Sequence, residues 1–205
     1  MRKYYIKYQE NTEVNYLYLL LLYKIAKLGR SHLLDTITFD SLSHLAQLLN
    51  EEYSKVNVSA TSKAVSVSSL LRLLNSEASK DYFEYYKDNR AIILKNKFTK
   101  STGNNKFVIL NDSEVNFLLI QNDKLLTRYY LYIKYYCGYS GTNSTDFTAN
   151  QFLEALNYST KSGSNKAKLS YFNSLLSSNG FIRIDKFRSN GKERNRYYLL
   201  APASK

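Results

Sequence analysis

Basic and small polar side chains are concentrated in the last quarter of the chain. From Asn157 to Lys205 there are ten basic and two acidic residues, so this stretch supplies +8 of the net charge of +12. A basic excess of this size favours a polyanionic partner, either nucleic acid or an anionic membrane surface, over a merely solubilising surface. The candidate contact residues form two groups, Lys161, Ser162, Ser164, Asn165, Lys166, Lys168 and Ser170, and then Arg188, Lys192, Arg194 and Arg196.

Residues that could support catalysis are sparse. His32 and His44 have no cysteine near them, and Cys137 is the only cysteine of the chain. A zinc site or a Cys–His nucleophile pair needs these residue types in groups, and no glycine-rich phosphate loop is present. We therefore expect no enzyme activity, no metal and no cofactor.

The first group of contact residues requires a helix to position it. Apolar residues recur at helical spacing in the segment Asn165–Ser177, and they predict its buried face: Leu169, Phe172, Leu175 and Leu176. Lys166 and Ser170 then lie on the exposed face. A shorter helix, Ala149–Leu156, is predicted before it, because Thr148 and Gln151 have the spacing of a capping box.

The second group lies in a predicted β-hairpin, Phe181–Leu200. Apolar and polar residues alternate from Phe181 to Phe187, and Ser189–Gly191 is a turn signal. The basic residues of this hairpin could follow a DNA backbone or enter a minor groove.

The N-terminal half shows the same order of predicted elements. In each half a long apolar helix precedes a short strand, two helices and a hairpin. In the N-terminal half these segments are Val14–Leu28, Thr36–Phe39, Ser41–Asn50, Thr61–Asn75 and Tyr82–Leu94. In the C-terminal half they are Asp123–Cys137, Thr145–Phe147, Ala149–Leu156, Asn165–Ser177 and Phe181–Leu200. The polar loop Asn96–Asn105 separates the halves. We expect an α+β, mostly helical protein with domains at 1–100 and 106–205.

The counterpart helix of the N-terminal half is less basic. Its buried face is predicted to hold Val67, Leu70, Leu71 and Leu74, which leaves Thr61, Ser62, Val65, Ser69 and Arg72 towards solvent. Thr61, Ser62, Lys63 and Arg72 are the candidate DNA contacts of this half. The same face could instead be inert or contact a protein.

Three segments carry a resemblance to winged helix-turn-helix DNA-binding proteins: FTANQFLEALNYS (147–159), KLSYFNSLLSSNGFIRIDKF (168–187) and RSNGKERNRYYLL (188–200). The resemblance implies two winged-helix domains in tandem, each of helices plus a small antiparallel β-hairpin wing. Tandem winged helices in a chain of this size resemble plasmid and phage replication initiators.

From these patterns we expect a sequence-specific double-stranded DNA-binding protein, a replication initiator or origin-binding protein. The alternatives are a dimeric transcriptional regulator and a winged-helix protein-interaction module. The apolar composition of the segments Val14–Leu28 and Leu125–Tyr136 predicts helices that are buried on every side, either by the domain itself or in part by a second subunit. We therefore expect a homodimer that forms through one of these helices, with replication or transcription proteins as further partners. We expect a cytoplasmic location and no membrane association, because neither a signal peptide nor an uninterrupted apolar span is visible.

Overall fold

The computed structural model describes residues 3–7, 36–56, 65–80, 83–88, 91–96 and 107–200. The protein is α+β, and the described residues are mostly helical, as the sequence predicts. They fall into two compact units that divide between Lys124 and Leu125. This division lies later in the chain than the polar loop Asn96–Asn105, the predicted domain boundary.

The first unit contains two small antiparallel sheets and four helices among its described residues. Its elements are β1 (Lys3–Lys7), β2 (Thr36–Phe39), α1 (Leu42–Val56), α2 (Val67–Leu74), α3 (Glu77–Lys80), β3 (Phe83–Asp88), β4 (Ala91–Asn96), β5 (Phe107–Asn111) and α4 (Asp112–Gln121). One sheet has the strand order β2–β4–β3, and the other pairs β1 with β5. The predicted helix Val14–Leu28 lies outside the described residues.

A capping box starts α4 directly after β5. The Asn111 side chain accepts a hydrogen bond from the backbone N–H of Glu114 at 3.0 Å, and the Glu114 carboxylate accepts one from the backbone N–H of Asn111 at 2.8 Å. Each partner satisfies a backbone donor that the first helical turn leaves unpaired. Neither this helix nor the pairing of β1 with β5 was predicted from the sequence.

Among its described residues, the second unit holds one three-stranded sheet and three helices. Its elements are α5 (Lys124–Tyr139, which begins at the unit boundary), β6 (Ser144–Phe147), α6 (Ala149–Ala155), α7 (Gly163–Ser178), β7 (Ile182–Ser189) and β8 (Lys192–Leu199). The strand order is β6–β8–β7 with antiparallel pairing throughout. The predicted capping box of α6 is confirmed: the Thr148 hydroxyl accepts from the Gln151 N–H at 3.2 Å, and the Gln151 side chain accepts from the Thr148 N–H at 2.8 Å.

Both units contain a strand, then helices, then a two-stranded hairpin whose second strand pairs with the first strand. The helices between strand and hairpin are α1, α2 and the short α3 in the first unit, and α6 and α7 in the second. The predicted strands and hairpins of both halves are confirmed. Several helices differ in extent from the predictions. Helix α1 continues to Val56 beyond the predicted end, α5 ends at Tyr139 and not at Cys137, and α7 begins at Gly163 before its predicted start. The described part of the helix predicted at Thr61–Asn75 is α2, Val67–Leu74.

Helix α5 is buried by other residues of the same chain. Its side chains from Leu125 to Ile133 are buried, and so is Cys137. The apolar composition of this helix therefore needs no second subunit to explain it. Within the described residues, no helix has the length and apolarity that crossing a bilayer requires.

Candidate nucleic-acid interface

The N-terminus of α7 is fixed by hydroxyl and amide side chains. Ser162 is the N-cap, and its Oγ accepts a hydrogen bond from the backbone N–H of Asn165 at 3.3 Å. The Asn165 side chain donates to the backbone carbonyl of Ser159 at 3.1 Å, and the hydroxyls of Ser162 and Ser164 are 2.9 Å apart. These contacts hold the loop onto the first turn of α7, with Lys161 exposed just before the cap.

Helix α7 packs by one face, as the sequence predicts. Leu169, Phe172 and Leu176 are buried, and Leu175 is half-buried. Burying a leucine or phenylalanine side chain contributes about 1.5–3 kcal/mol, so this stripe fixes the rotation of the helix. The candidate contacts Lys166, Lys168 and Ser170 are all exposed as a consequence.

A chain of polar groups connects α7 to the sheet. The Tyr129 hydroxyl of α5 lies 2.6 Å from Asn173 Oδ1 and 2.9 Å from the Tyr197 hydroxyl, and Asn195 Nδ2 donates to Tyr197 Oη at 3.2 Å. Because each hydroxyl carries one proton, the consistent order of donation is Asn195 to Tyr197 to Tyr129 to Asn173. Burial, followed by the neighbouring Tyr197, raises the pKa of Tyr129 well above its ordinary value, so this phenol stays neutral.

The hairpin β7–β8 closes with a two-residue turn. Asn190 and Gly191 have φ values of 53° and 73°, both in the left-handed region. Hairpin turns of two residues with positive φ match the right-handed twist of the strands and favour Asn-Gly. The turn signal is therefore confirmed, and it sets the register in which Ser189 faces Lys192 and Ile182 faces Leu199.

That register divides the basic residues of the hairpin between its two faces. Side chains alternate along a strand, and the buried Ile182 and Tyr197 mark the face that packs on the helices. Lys186 and Arg188 continue this face beyond the core, and both are exposed. Lys186 is not among the residues singled out from the sequence, although strand alternation from Ile182 would have placed it beside Arg188.

The opposite face carries arginines that are engaged within the sheet. Arg194 contacts Asp146 of β6 at 3.4 Å, and the guanidinium of Arg196 lies 4.7 Å from the centre of the Phe187 ring. Arg183 likewise stacks on Tyr198 at 4.2 Å. By contrast, Arg188 takes part in no ion pair or ring contact among the described residues. Lys192 occupies the first position of β8, and its side chain lies outside what the structure describes.

The corresponding helix of the first unit exposes a different surface. Leu70, Leu73 and Leu74 are buried, whereas Val67 and Leu71 are each 40% exposed. The predicted inward positions of Val67 and Leu71 are therefore wrong, and so is the predicted exposure of Val65, which is 4% exposed. Val65 is held because the Asn50 side chain bonds both its N–H, at 2.6 Å, and its carbonyl, at 3.2 Å.

Of the candidate contacts in the first unit, Arg72 is exposed on α2, as predicted. Thr61, Ser62 and Lys63 lie outside the described residues. On α7 the exposed candidates are Ser164, Lys166, Lys168 and Ser170, with the two lysines on opposite flanks of the face that carries the serines, whereas Ser162 and Asn165 are half-buried at the helix start. The hairpin candidates lie on two faces, Arg188 on one and Arg194 and Arg196 on the other.

Acidic, cysteine and histidine side chains form no metal-binding group of three or more anywhere in the described ranges. No protein-family model, curated protein or solved structure matches this chain.

Proposed function

We propose that the second unit is a winged-helix module that binds double-stranded DNA, with α7 entering the major groove. One observation carries the proposal: α7 is packed by Leu169, Phe172 and Leu176, and its opposite face presents small polar side chains between exposed lysines. A B-DNA major groove is about 12 Å wide and admits one helix, so short side chains on the outer face favour close approach.

The order of elements supports the winged-helix interpretation. The sequence α5, β6, α6, α7, β7, β8, with the sheet order β6–β8–β7, places a helix pair before a hairpin, as the resemblance implies. The first unit also has a strand, helices and a hairpin in this order, with the short helix α3 before the hairpin and the sheet order β2–β4–β3. This repetition supports a tandem arrangement.

The charges support a contact between the DNA backbone and the hairpin face that carries Lys186 and Arg188. Lys161, Lys166 and Lys168 of the helix region, and Lys186 and Arg188 of the hairpin, are all exposed. Lysine and arginine side chains at such positions neutralise phosphates and release counterions. Because Arg194 and Arg196 are engaged on the other face, we assign them a smaller share of the binding free energy.

For the biological role, we propose a sequence-specific origin-binding protein of a plasmid or phage. The support is the tandem order of elements together with the resemblance of residues 147–200. The contact is assigned to the second unit, because the exposed Val67 and Leu71 suit a DNA groove less well. A homodimer remains part of the proposal, with the segment Val14–Leu28 as its predicted contact.

Selection from a random double-stranded DNA pool with the full chain tests the proposal. We expect an enriched motif bound with sub-micromolar Kd. If about five to eight cations meet phosphates, log K should fall with log salt concentration at a slope of about −4 to −7. No enriched motif together with a slope near zero would contradict DNA binding.

The arrangement of the selected sites separates the biological alternatives. Repeated copies of the motif beside the protein's own gene agree with origin binding, whereas a single palindrome over a promoter agrees with a dimeric regulator. A protein complex that forms without DNA and is insensitive to salt would favour an interaction module.

A further inference from the structure

Tyr171 is the one large side chain in the middle of the exposed face of α7. It is 60% exposed. On a helix of about 3.6 residues per turn, the other residues of that face are small: Gly163, Ser164, Ala167, Ser170, Ser174 and Ser178. Lys166 and Lys168 flank this face on either side.

The packing of α7 does not account for Tyr171. The buried stripe consists of Leu169, Phe172 and Leu176, and the centre of the Tyr171 ring lies beside it, 6.0 Å from the centre of the Phe172 ring. Long side chains on a helix lean towards its N-terminus. The ring of Tyr171 therefore covers the turn that contains Ala167 and Lys168, the same turn that the proposed function places against DNA.

We propose that Tyr171 is a specificity-determining residue whose ring packs against the C5 methyl group of a thymine in the major groove. This inference rests on the proposed function. The thymine methyl is the apolar group that base pairs present in that groove, and an exposed aromatic ring is the apolar group that α7 presents. Ala167 is short enough to let the ring reach the base edge.

The test compares thymine with uracil in the motif selected by the wild-type chain. Uracil keeps every hydrogen-bonding group of thymine and lacks only the methyl, so the replacement isolates the contribution of that methyl group. Each thymine of the motif is replaced in turn. We expect one replacement to weaken wild-type binding about three- to fivefold, the effect of losing one buried methyl group, about 0.8 kcal/mol. Tyr171→Phe should retain this discrimination, whereas Tyr171→Ser should bind the two DNAs equally.

The controls separate this inference from the proposed function. Tyr139→Ser removes another exposed tyrosine, 79% exposed at the end of α5, and should leave the thymine preference unchanged. Thermal melting should show that Tyr171→Ser is folded, because the side chain is exposed. If no DNA motif is selected at all, the proposed function fails before Tyr171 is tested.

Three results with a selected motif in hand would overturn the role of Tyr171 alone. In the first, no replacement of thymine by uracil weakens binding of the wild type. In the second, Tyr171→Ser discriminates between thymine and uracil as the wild type does. In the third, Tyr171→Phe loses this discrimination. The last would show that the hydroxyl, and not the ring, makes the base contact.

Discussion

The phenolic oxygens of Tyr129 and Tyr197 lie 2.9 Å apart in the core of the second unit. Tyr129 belongs to α5 and Tyr197 to β8, and Asn173 of α7 accepts from Tyr129 at 2.6 Å. This contact therefore joins the helix that we propose enters DNA to the hairpin that we propose follows the backbone. Both tyrosines are 1–2% exposed, so water cannot readily replace a lost partner.

The first prediction concerns that hydrogen-bond chain. Tyr129→Phe removes one hydroxyl and leaves Asn173 and Tyr197 each short of a buried partner, which should lower the free energy of unfolding by about 1–3 kcal/mol. Tyr198→Phe is the matched control, because this half-buried tyrosine on the other face of β8 loses a hydroxyl outside the chain of polar groups. Urea denaturation measures both. Equal stabilities of the two variants would mean that the hydroxyl contacts contribute nothing.

The two faces of the hairpin give a second prediction. Lys186→Ala with Arg188→Ala, and Arg194→Ala with Arg196→Ala, each remove two positive charges. If the hairpin face that carries Lys186 and Arg188 contacts the DNA backbone, the first double variant should bind specific and random DNA more weakly to the same extent. Its slope of log K against log salt concentration should be smaller by about 2. The second should change the slope less, because Arg194 contacts Asp146 and Arg196 stacks on Phe187. A larger effect of the second pair would reverse the assignment of faces.

Cys137 provides a probe of the core. Burial raises the pKa of its thiol from 9.0 to about 12, and its Sγ donates to the carbonyl of Tyr197 at 3.6 Å. At neutral pH a shift of that size lowers the thiolate fraction about a thousandfold, since each pKa unit is a factor of ten. We expect no alkylation of the native protein by iodoacetamide at pH 8 and complete alkylation in urea. Mass spectrometry that finds rapid modification without denaturant would contradict this packing.

Local signals accounted for much of the second unit. The Thr148–Gln151 capping box, the stripe of Leu169 and Phe172, and the Asn190–Gly191 turn each depend on residues a few positions apart, so the sequence alone predicts them. The same helical phase that places Lys166 outward also places Tyr171 outward.

The first unit shows where such signals fail. In the run Leu70, Leu71, Arg72, Leu73, Leu74, two different stripes satisfy helical spacing, and only packing determines that Leu73 is buried while Leu71 is exposed. The pairing of β1 with β5 joins Lys3 to Asn111, and nothing local indicates a contact between residues so distant in sequence. The capping box of Asn111 and Glu114, by contrast, is a local signal, because its two residues are three positions apart.

The central claim, that the exposed face of α7 reads DNA sequence, is tested most directly by the effect of Lys166→Ala on two DNAs. Affinities of the wild type, Lys166→Ala and Lys80→Ala would be measured by fluorescence anisotropy on the selected motif and on a scrambled duplex. Lys80 is an exposed lysine of α3 that pairs with Glu77, so its variant controls for lost charge, and thermal melting controls for folding.

Loss of a good base contact costs about 1–3 kcal/mol, roughly five- to 150-fold in affinity. The account predicts that Lys166→Ala weakens binding to the selected motif by such a factor, affects the scrambled duplex far less, and leaves the melting temperature nearly unchanged, while Lys80→Ala binds both DNAs as the wild type does. Equal weakening on both DNAs would make Lys166 a phosphate contact and contradict the placement of the recognition surface on this face of α7.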